Sequence, residues 1–543
     1  MRRITWVLAA FAAVSLVLVA GGTAGTAKSE AVTGSVTIGA EQEPPCLNIL
    51  LESCNNTWQA WITQNAIRGA YMLYPDGTYK PDILVGDAKT TTKPRFTVTY
   101  QIKPNAIWSD GTPVTADDFI FTFTTIMNPK NEVAGRTGYD SIQRMVKVNA
   151  KTVRAVFKKP FVNWRSLFSF SSLLPRHALR GEADFNQVWL NNIADPRNGK
   201  PIGNGPYLVT NYTKGQSVTL TANPRYWGAT KPKIKTVIFR FITNTDSEIQ
   251  AIRGGEVDMI YPQPQLQLAA LKGVSGLTVQ SNQGQTLEHL EFNVGSTGMA
   301  LARAPWFRQA IAYSIDRAAL VKTLYGTLNS KLTPLQSMHY TNTQSEYQPN
   351  FERYKYDVNK VASIMQKNGC TKGGDGIFTC GGVRASIKFS TTAGNKLREL
   401  AQEIIQAQAK RAGIEITLDN SPSGTLFGTR LPGYQYQMSM FAWVGDPDPS
   451  DFVDIYGCGG ESNFTKWCSK KYTDLMRQGA QTLDDKQRAA IFNKADQLLA
   501  AGLPTYPLFQ KPTYLVAKTK VKGLKDNATQ AGFTWNIQEW SLG

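Results

Sequence analysis

The sequence has few of the residues, and none of the short motifs, on which many enzyme active sites depend. Its three histidines, His177, His289 and His339, are far apart, and only 18% of its residues are charged. It contains no G-x-S-x-G, H-E-x-x-H, Walker A or G-x-G-x-x-G motif. These absences argue against a hydrolase, a zinc protease and a nucleotide-binding enzyme. We therefore expect no catalytic residue, no metal and no cofactor.

Cysteine is also scarce, and no C-x-x-C pair that would favour zinc is present. An even number of cysteines in an exported chain is typical of structural disulfides. Six cysteines allow 15 connectivities, and pairing between neighbours in the sequence is the simplest. The neighbouring pairs are Cys46/Cys54, Cys370/Cys380 and Cys458/Cys468.

One long uncharged run occurs, and it lies at the N-terminus. Arg2 and Arg3 precede residues 4–27, which carry no charge and end in small residues. This pattern is typical of a secretory signal over residues 1–27. The run is also long enough to cross a bilayer, so an uncleaved anchor stays open. We expect an exported protein, in the periplasm or on the outer face of the cytoplasmic membrane.

The remaining composition is that of a globular protein with room for more than one domain. The chain has 543 residues, 42% of them hydrophobic, and we find neither internal repeats nor a low-complexity linker. The formal net charge of +18 is compatible with anionic lipid, cell wall or acidic ligands. Because the basic residues are dispersed and no nucleic-acid-binding motif occurs, a solvated basic surface is the preferred interpretation.

Hydrophobic periodicity predicts mixed α and β structure along the chain. The predicted strands are 36–40, 96–103, 152–158, 218–222, 237–241, 287–294, 386–390 and 414–418. The predicted helices are 119–127 behind a capping box at Thr115, 249–257, 304–324, 395–412, and 484 or 485 to 501. The strand–helix–strand order over 386–418 indicates a parallel strand pair with a right-handed crossover. We expect Arg308, Asp316 and Arg317, on the amphipathic helix 304–324, to be solvated or locally paired.

Five segments together resemble the extracytoplasmic binding proteins of peptide and nickel-type ABC importers, a family that includes dipeptide- and oligopeptide-binding proteins. The most specific is WSDGTPVTADDF at 108–119. The others are GNGPY at 203–207, NPRYW at 223–227, FRQAIAYSIDR at 307–317 and WVGDPDPSDF at 443–452. Asn204 stands where the family commonly has Thr. The order and spacing of the segments match along essentially the whole chain after the signal.

The resemblance implies an α/β, two-lobed periplasmic-binding-protein-like fold with a central ligand cleft and an extra subdomain inserted in the first lobe. Residues 28–293 plus 514–543 would form lobe I, with the inserted subdomain at about 75–202, and residues 294–513 would form lobe II. The protein would act as a monomer, close on its ligand and dock on an ABC transporter permease driven by a separate ATPase.

The resemblance also implies a role for Asp446. In dipeptide- and oligopeptide-binding relatives, the Asp of the W-x-x-D segment holds the peptide α-ammonium. Asp446 occupies that position here, and Trp443 would line the pocket; a simple turn-capping role for Asp446 before Pro447 stays open. The loop from Cys458 to Cys468 is similar to a disulfide loop in dipeptide-binding relatives, which favours a peptide ligand. The residue that would take the peptide carboxylate is not identified.

Three alternatives to a peptide importer component remain open at this point. The same binding role could serve another ligand, such as an oligosaccharide, an opine-like compound or a metal chelate. A secreted hydrolase is the second alternative, although we expect a binding protein and not an enzyme. The third is a sensory module that docks on a receptor instead of a permease.

Overall fold

The computed structural model describes residues 32–326, 328 and 331–543, so the predicted signal at 1–27 lies outside the described residues. Within these ranges the chain forms two main hydrophobic cores. The first draws mainly on residues 36–261 and 515–540, and the second on residues 287–509. None of the helices in this part of the chain combines the length and apolar character that a membrane span needs.

A seven-stranded mixed sheet organises the first core. Thr33–Ala40 is its central strand and pairs in parallel with Ile234–Phe241 and with Met259–Ile260. The chain returns to this sheet near its C-terminus, because Leu515–Lys518 pairs with Leu277–Gln280. The strand order across the sheet is Leu277–Gln280, Leu515–Lys518, Met259–Ile260, Thr33–Ala40, Ile234–Phe241, Ser217–Ala222 and Tyr207–Thr213.

A separate four-stranded antiparallel sheet lies within the range predicted for the inserted subdomain. Its strand order is Lys89–Thr91, Thr97–Gln101, Thr152–Phe157 and Ile142–Asn149. The helix Ala116–Met127 follows the capping box predicted at Thr115, whose amide donates to the Asp118 carboxylate at 2.8 Å. Trp108, at the start of the most specific motif, is fully buried, so this segment serves the scaffold.

A five-stranded sheet organises the second core. Its strand order is Glu415–Leu418, Ser386–Ser390, Met438–Val444, Thr286–Phe292 and Thr505–Lys511. The predicted parallel pair is confirmed, with the helix Lys396–Arg411 between its strands. The predicted lobe boundaries remain a proposal. The strand Thr286–Phe292, which we placed in lobe I, lies in this second sheet. It pairs there with Met438–Val444 on one side and with Thr505–Lys511 on the other.

Small sheets and helices complete the described fold. The small sheets are Cys370–Lys372 with Phe378–Cys380 and Val383–Arg384, Tyr71–Leu73 with Tyr79–Pro81, and Val521–Lys522 with Ser541–Leu542. The further α-helices include Thr57–Thr63, Arg176–Leu179, Thr245–Gly254, Ala300–Arg303, Val358–Lys367, Phe452–Tyr456, Lys470–Gln481 and Asp485–Gly502.

The prediction of a single helix over 304–324 is wrong, because the segment forms two helices, Pro305–Ser314 and Arg317–Tyr325. Ile315 takes an extended conformation between them. The Asp316 carboxylate then accepts the Ala319 amide at 2.9 Å, which caps the second helix. A side chain that can cap a helix N-terminus, such as Asp316, therefore indicates the start of a new helix even where the helical pattern of apolar residues continues.

Arg308 and Arg317, which we expected to be solvated or locally paired, are buried and not solvated. Arg308 is 2% exposed and donates to main-chain carbonyls that include those of Gly502 and Leu503, at the end of the helix Asp485–Gly502. Arg317 is 5% exposed, and its guanidinium donates to the carbonyl of Pro507 at 2.7 Å. A buried guanidinium is tolerated here because carbonyl oxygens satisfy its donors.

The structure bonds all six cysteines in the three neighbouring pairs expected from the sequence, Cys46–Cys54, Cys370–Cys380 and Cys458–Cys468. The second pair joins the adjacent strands Cys370–Lys372 and Phe378–Cys380. The third holds the loop that follows the helix Phe452–Tyr456.

Removing the Cys370–Cys380 bond by replacing both cysteines with serine should lower the free energy of unfolding. The sequence separation is 10 residues, and the chain-entropy model gives a loss of about 2–3 kcal/mol for a loop of that size. Calorimetric melting of the variant beside the unmodified protein would measure the effect. An unchanged melting temperature would contradict a stabilising role for this bond.

Candidate functional site

A cavity of about 440 Å³ lies between the two cores. Residues 41–61, 134–139 and 166–172 line it from one side, and residues 442–464 line it from the other. The volume lies within the range of about 300–1,000 Å³ that small-molecule sites occupy. The cavity is therefore the candidate functional site.

The segment 443–454 forms one wall of the cavity, because a strand end, a turn and two short helices follow one another along it. The strand Met438–Val444 ends at the cavity, and a short turn through Asp446 leads into the 3₁₀ helix Pro449–Asp451. The helix Phe452–Tyr456 follows directly. Four acidic side chains along this segment reach the cavity, namely Asp446, Asp448, Asp451 and Asp454.

The structure places Asp446 in the cavity wall, where a ligand-binding role requires it. Its Oδ2 accepts the Tyr79 hydroxyl, and its Oδ1 accepts the Asn163 side-chain amide at 3.3 Å. Oδ1 also accepts the main-chain amide of Asp448 at 3.1 Å, so the turn-capping interaction is present as well. A carboxylate offers about four lone-pair sites, which leaves room for a further donor from a ligand.

The charge of Asp446 is not balanced by a cationic side chain in the part of the chain that the structure describes. Asp446 forms no ion pair with any side chain in residues 32–326, 328 and 331–543. Burial raises the pKa of Asp446 to about 6, although the hydrogen bonds from Tyr79 and Asp448 act in the opposite direction. A cationic group in the cavity would supply the missing charge.

Trp443 also lies in the cavity lining. Its indole Nε1 donates to the Glu291 carboxylate at 3.3 Å, and its ring stacks on Phe464 with centroids 5.9 Å apart. These contacts fix the ring, which is half-buried and presents an apolar surface to the cavity. Rigid aromatic walls of this kind bury ligand surface at little entropic cost.

Glu52, on the opposite side, continues the row of carboxylates. Ser462 donates to its Oε2 at 2.7 Å, and the main-chain amide of Thr137 donates to Asp454 Oδ2 at 3.2 Å. Burial, with a smaller contribution from neighbouring carboxylates, raises the pKa of Glu52 to about 8 and that of Asp454 to about 7. With Tyr79 and Asp446, these contacts bind the two sides of the cavity to each other.

The other end of the cavity has positively and negatively charged side chains close together. Arg398 and Lys511 lie in the lining there, and both pair with the buried Glu288, at 2.7 Å and 3.4 Å respectively. Gln263 bridges the Lys511 ammonium and the Glu41 carboxylate. Burial raises the pKa of Glu41 and lowers that of Lys511. The charges at this end are therefore largely balanced within the protein.

Sequence reasoning identified only part of this lining. Asp451 stood in the quoted segment 443–452 but was not singled out, and Asp454 follows two residues beyond it. Tyr79 is 367 positions away from its partner Asp446, so no local pattern could connect them. Among the described residues, no group of three or more His, Cys, Asp or Glu side chains is arranged to hold a metal ion.

Comparison with known proteins gives a consistent result. The model of the family described as "Bacterial extracellular solute-binding proteins, family 5 Middle" matches residues 80–464. The oligopeptide-binding protein of Mycobacterium tuberculosis is 26% identical over 487 residues, which cover 88% of this chain and 80% of that protein.

Solved structures share the fold over nearly the whole chain. A periplasmic EDTA-binding protein superposes with a TM-score of 0.82 at 25% identity, covering 94% of this chain and 97% of that one. An oligopeptide-binding protein of Bacillus subtilis, solved with a nonapeptide, has a TM-score of 0.84 at 19% identity, covering 94% and 99%. The second comparison supports the two-lobed fold alone.

Proposed function

Because the chain belongs to the family 5 bacterial extracellular solute-binding proteins, we propose that it captures short peptides in the interlobe cavity and delivers them to an ABC importer. The observation that carries the proposal is the Asp446 carboxylate, which lies in the cavity lining without a cationic partner in the described part of the chain. A peptide α-ammonium supplies a positive charge and hydrogen-bond donors in one group.

Binding would proceed by closure of the two lobes on the peptide. Tyr79 and Asn163 reach Asp446 from the other side of the cavity, so contacts of this kind form only when the two sides approach. A ligand that bridges both sides adds contacts to the closed form and shifts the population toward it. The chain would bind its ligand without transforming it.

The remaining parts of the proposal follow the family. The protein would be exported, act in the periplasm or on the outer face of the cytoplasmic membrane, and work as a monomer with a permease and a separate ATPase. Its relatives include oligopeptide- and dipeptide-binding proteins, which supports a peptide over the other ligands considered.

Other ligand classes fit the cavity less well. One structural relative is named for binding EDTA, a polyanion. In this chain, Asp446, Asp451 and Asp454 line the cavity and offer such an anion no positive charge, while Arg398 is already paired with Glu288. An anionic chelate is therefore disfavoured relative to a peptide with a free α-ammonium.

Native mass spectrometry of the purified chain, followed by denaturing release of bound molecules, tests the proposed function. We expect a mixture of short peptides. Added tripeptides should then bind to the emptied protein, whereas the same peptides with an acetylated N-terminus should not. Release of one defined non-peptide compound, or equal binding of acetylated and free peptides, would contradict the proposal.

A further inference from the structure

The acidic wall of the cavity extends beyond the one carboxylate that a peptide α-ammonium needs. Asp451 lies next to Asp446 in the lining, is partly buried, and makes neither a hydrogen bond nor an ion pair with its carboxylate in the described ranges. Asp454 and Glu52 continue the row, each held by one uncharged donor described above. A carboxylate that lines a cavity without a donor from the protein can accept hydrogen bonds from a ligand.

The nearby cations leave Asp446, Asp451, Asp454 and Glu52 without an ion pair in the described ranges, because they pair with other carboxylates, one of which is Asp448 of the same wall. Arg488 pairs with Asp448 at 3.3 Å, Arg136 pairs with Glu461, and Arg398 pairs with Glu288. The chain as a whole carries a formal net charge of +18, so an acidic cavity is a local property and not a consequence of composition.

The spread of these carboxylates also indicates what kind of cation they suit. They lie along the wall, and no metal-binding group of three or more His, Cys, Asp or Glu forms among the residues that the structure describes. Neighbouring carboxylates act on one another electrostatically, since Asp446 and Asp454 both contribute to raising the pKa of Asp451, after burial. Several carboxylates in one cavity lining can accept more than one positively charged group of the same ligand.

Resting on the proposed function, we infer that the cavity selects peptides that carry a second positive charge, with a Lys or Arg side chain near the N-terminus received by Asp451 and Asp454. The α-ammonium occupies Asp446 in this arrangement, and the basic side chain runs along the wall toward Glu52. Tyr139 lines the same part of the cavity and provides an aromatic surface for the aliphatic stem of the side chain.

The burial of Asp451 strengthens the preference for a basic peptide side chain. Burial raises the pKa of Asp451 well above its ordinary value, because desolvation disfavours the charged carboxylate. A lysine ammonium or an arginine guanidinium favours the charged form through a charge-assisted hydrogen bond. A neutral side chain makes no such contact, and an acidic side chain finds no positive charge in this row.

Isothermal titration of the emptied full chain with Ala-Lys-Ala, Ala-Ala-Ala and Ala-Glu-Ala tests this inference. Since hydrogen bonds between charged groups are among the stronger ones, we expect the lysine peptide to bind about tenfold more tightly than the alanine peptide. The glutamate peptide should bind more weakly than either. In Asp451→Asn, the ratio between the lysine and alanine peptides should fall close to one.

Asp474→Asn is the matched control, because Asp474 is exposed and pairs with Lys470 outside the cavity. It should leave the ratio unchanged. Asp454→Asn provides a second variant if Asp451→Asn does not fold, and it should lower the ratio as well. Equal affinities for the lysine and alanine peptides in the unmodified protein would overturn the inference and leave the proposed function intact. Binding of spermidine without binding of any peptide would overturn both.

Discussion

Replacing Asp446 with asparagine is expected to weaken the binding of a short peptide by about two to three orders of magnitude. Asparagine keeps the size of the side chain and can still accept a hydrogen bond from Tyr79, but it removes the charge that faces the α-ammonium. Leaving one member of a desolvated charge pair without its partner costs roughly 3–5 kcal/mol in buried sites, and Asp446 is half-buried, so we expect the lower part of that range. Isothermal titration with Ala-Lys-Ala would measure the loss.

The pH dependence of binding separates a charge effect from a packing effect. Burial raises the pKa of Asp446 to about 6 in the empty site, and an α-ammonium favours the ionised carboxylate. Protons therefore compete with the peptide, and affinity should fall as the pH drops below about 6 and level off above it. In Asp446→Asn this group no longer titrates, so its contribution to the pH profile should disappear.

Tyr79→Phe is the matched control for the loop around Asp446. It removes one hydrogen bond to the carboxylate without changing any charge, so its effect on affinity should stay within about tenfold. Asp446→Asn with unchanged affinity would show that Asp446 only shapes its turn, through the Asp448 amide. The peptide proposal would then lose the observation that carries it.

Local patterns were sufficient wherever the physical cause of a structure is local. The capping box at Thr115, the parallel strands at Ser386–Ser390 and Glu415–Leu418, and the short disulfide loops are confirmed. In each case, the residues that decide the conformation lie within one or two turns or within one crossover. These structures can therefore be predicted without knowledge of any contact with a distant part of the chain.

Local sequence patterns gave a wrong prediction where residues distant in the sequence determine whether a side chain is buried. Arg308 sits on an amphipathic helix, where a charged residue is normally solvated, yet the carbonyls at the end of the helix Asp485–Gly502 draw it into the core. Those carbonyls are orphaned by the geometry of helix ends, and a buried guanidinium satisfies several of them at once. Periodicity reports which face is apolar but not which backbone groups lie opposite that face.

The residues of the candidate site likewise fall into those that a local motif identifies and those that only the fold brings to the cavity. Asp446 and Trp443 could be named from one motif because the segment 443–452 supplies one wall of the cavity by itself. Glu41, Tyr79 and Glu52 reach the cavity from the first core, more than 360 positions earlier in the chain than Asp446. Only the fold brings the two walls together, so the contributions of Glu41, Tyr79 and Glu52 to the site could not be predicted from the sequence.

A buried ion network behind the cavity connects three elements of the second core. Glu288, on the strand Thr286–Phe292, is fully buried and accepts two hydrogen bonds from Arg398, at 2.7 and 3.2 Å. Lys511, at the end of Thr505–Lys511, approaches the same carboxylate at 3.4 Å. Burial alone would raise the pKa of Glu288, but Arg398 and Lys511 outweigh it and hold this pKa below its ordinary value.

Glu288→Ala is expected to lower the free energy of unfolding by about 3–5 kcal/mol, because it leaves two buried cations without their shared counterion. Calorimetric melting would measure the loss. The double variant Glu288→Met with Arg398→Met should recover part of it, since it removes one of the two uncompensated cations, Arg398, while Lys511 remains. Glu415→Ala, at the exposed pair with Arg384, is the control and should change the melting temperature little.

The same network predicts the direction of the acid response. A carboxyl whose pKa is lower in the folded state than in the unfolded state stabilises the fold above its unfolded pKa, about 4.3 for glutamate. That stabilisation is lost as the pH falls through the lower, folded pKa. The melting temperature of the unmodified protein should therefore decline more steeply in acid than that of the Glu288→Met, Arg398→Met double variant. Parallel curves for the two proteins would show that Glu288 is not ionised in the native fold, and the predicted loss in Glu288→Ala would then need another cause.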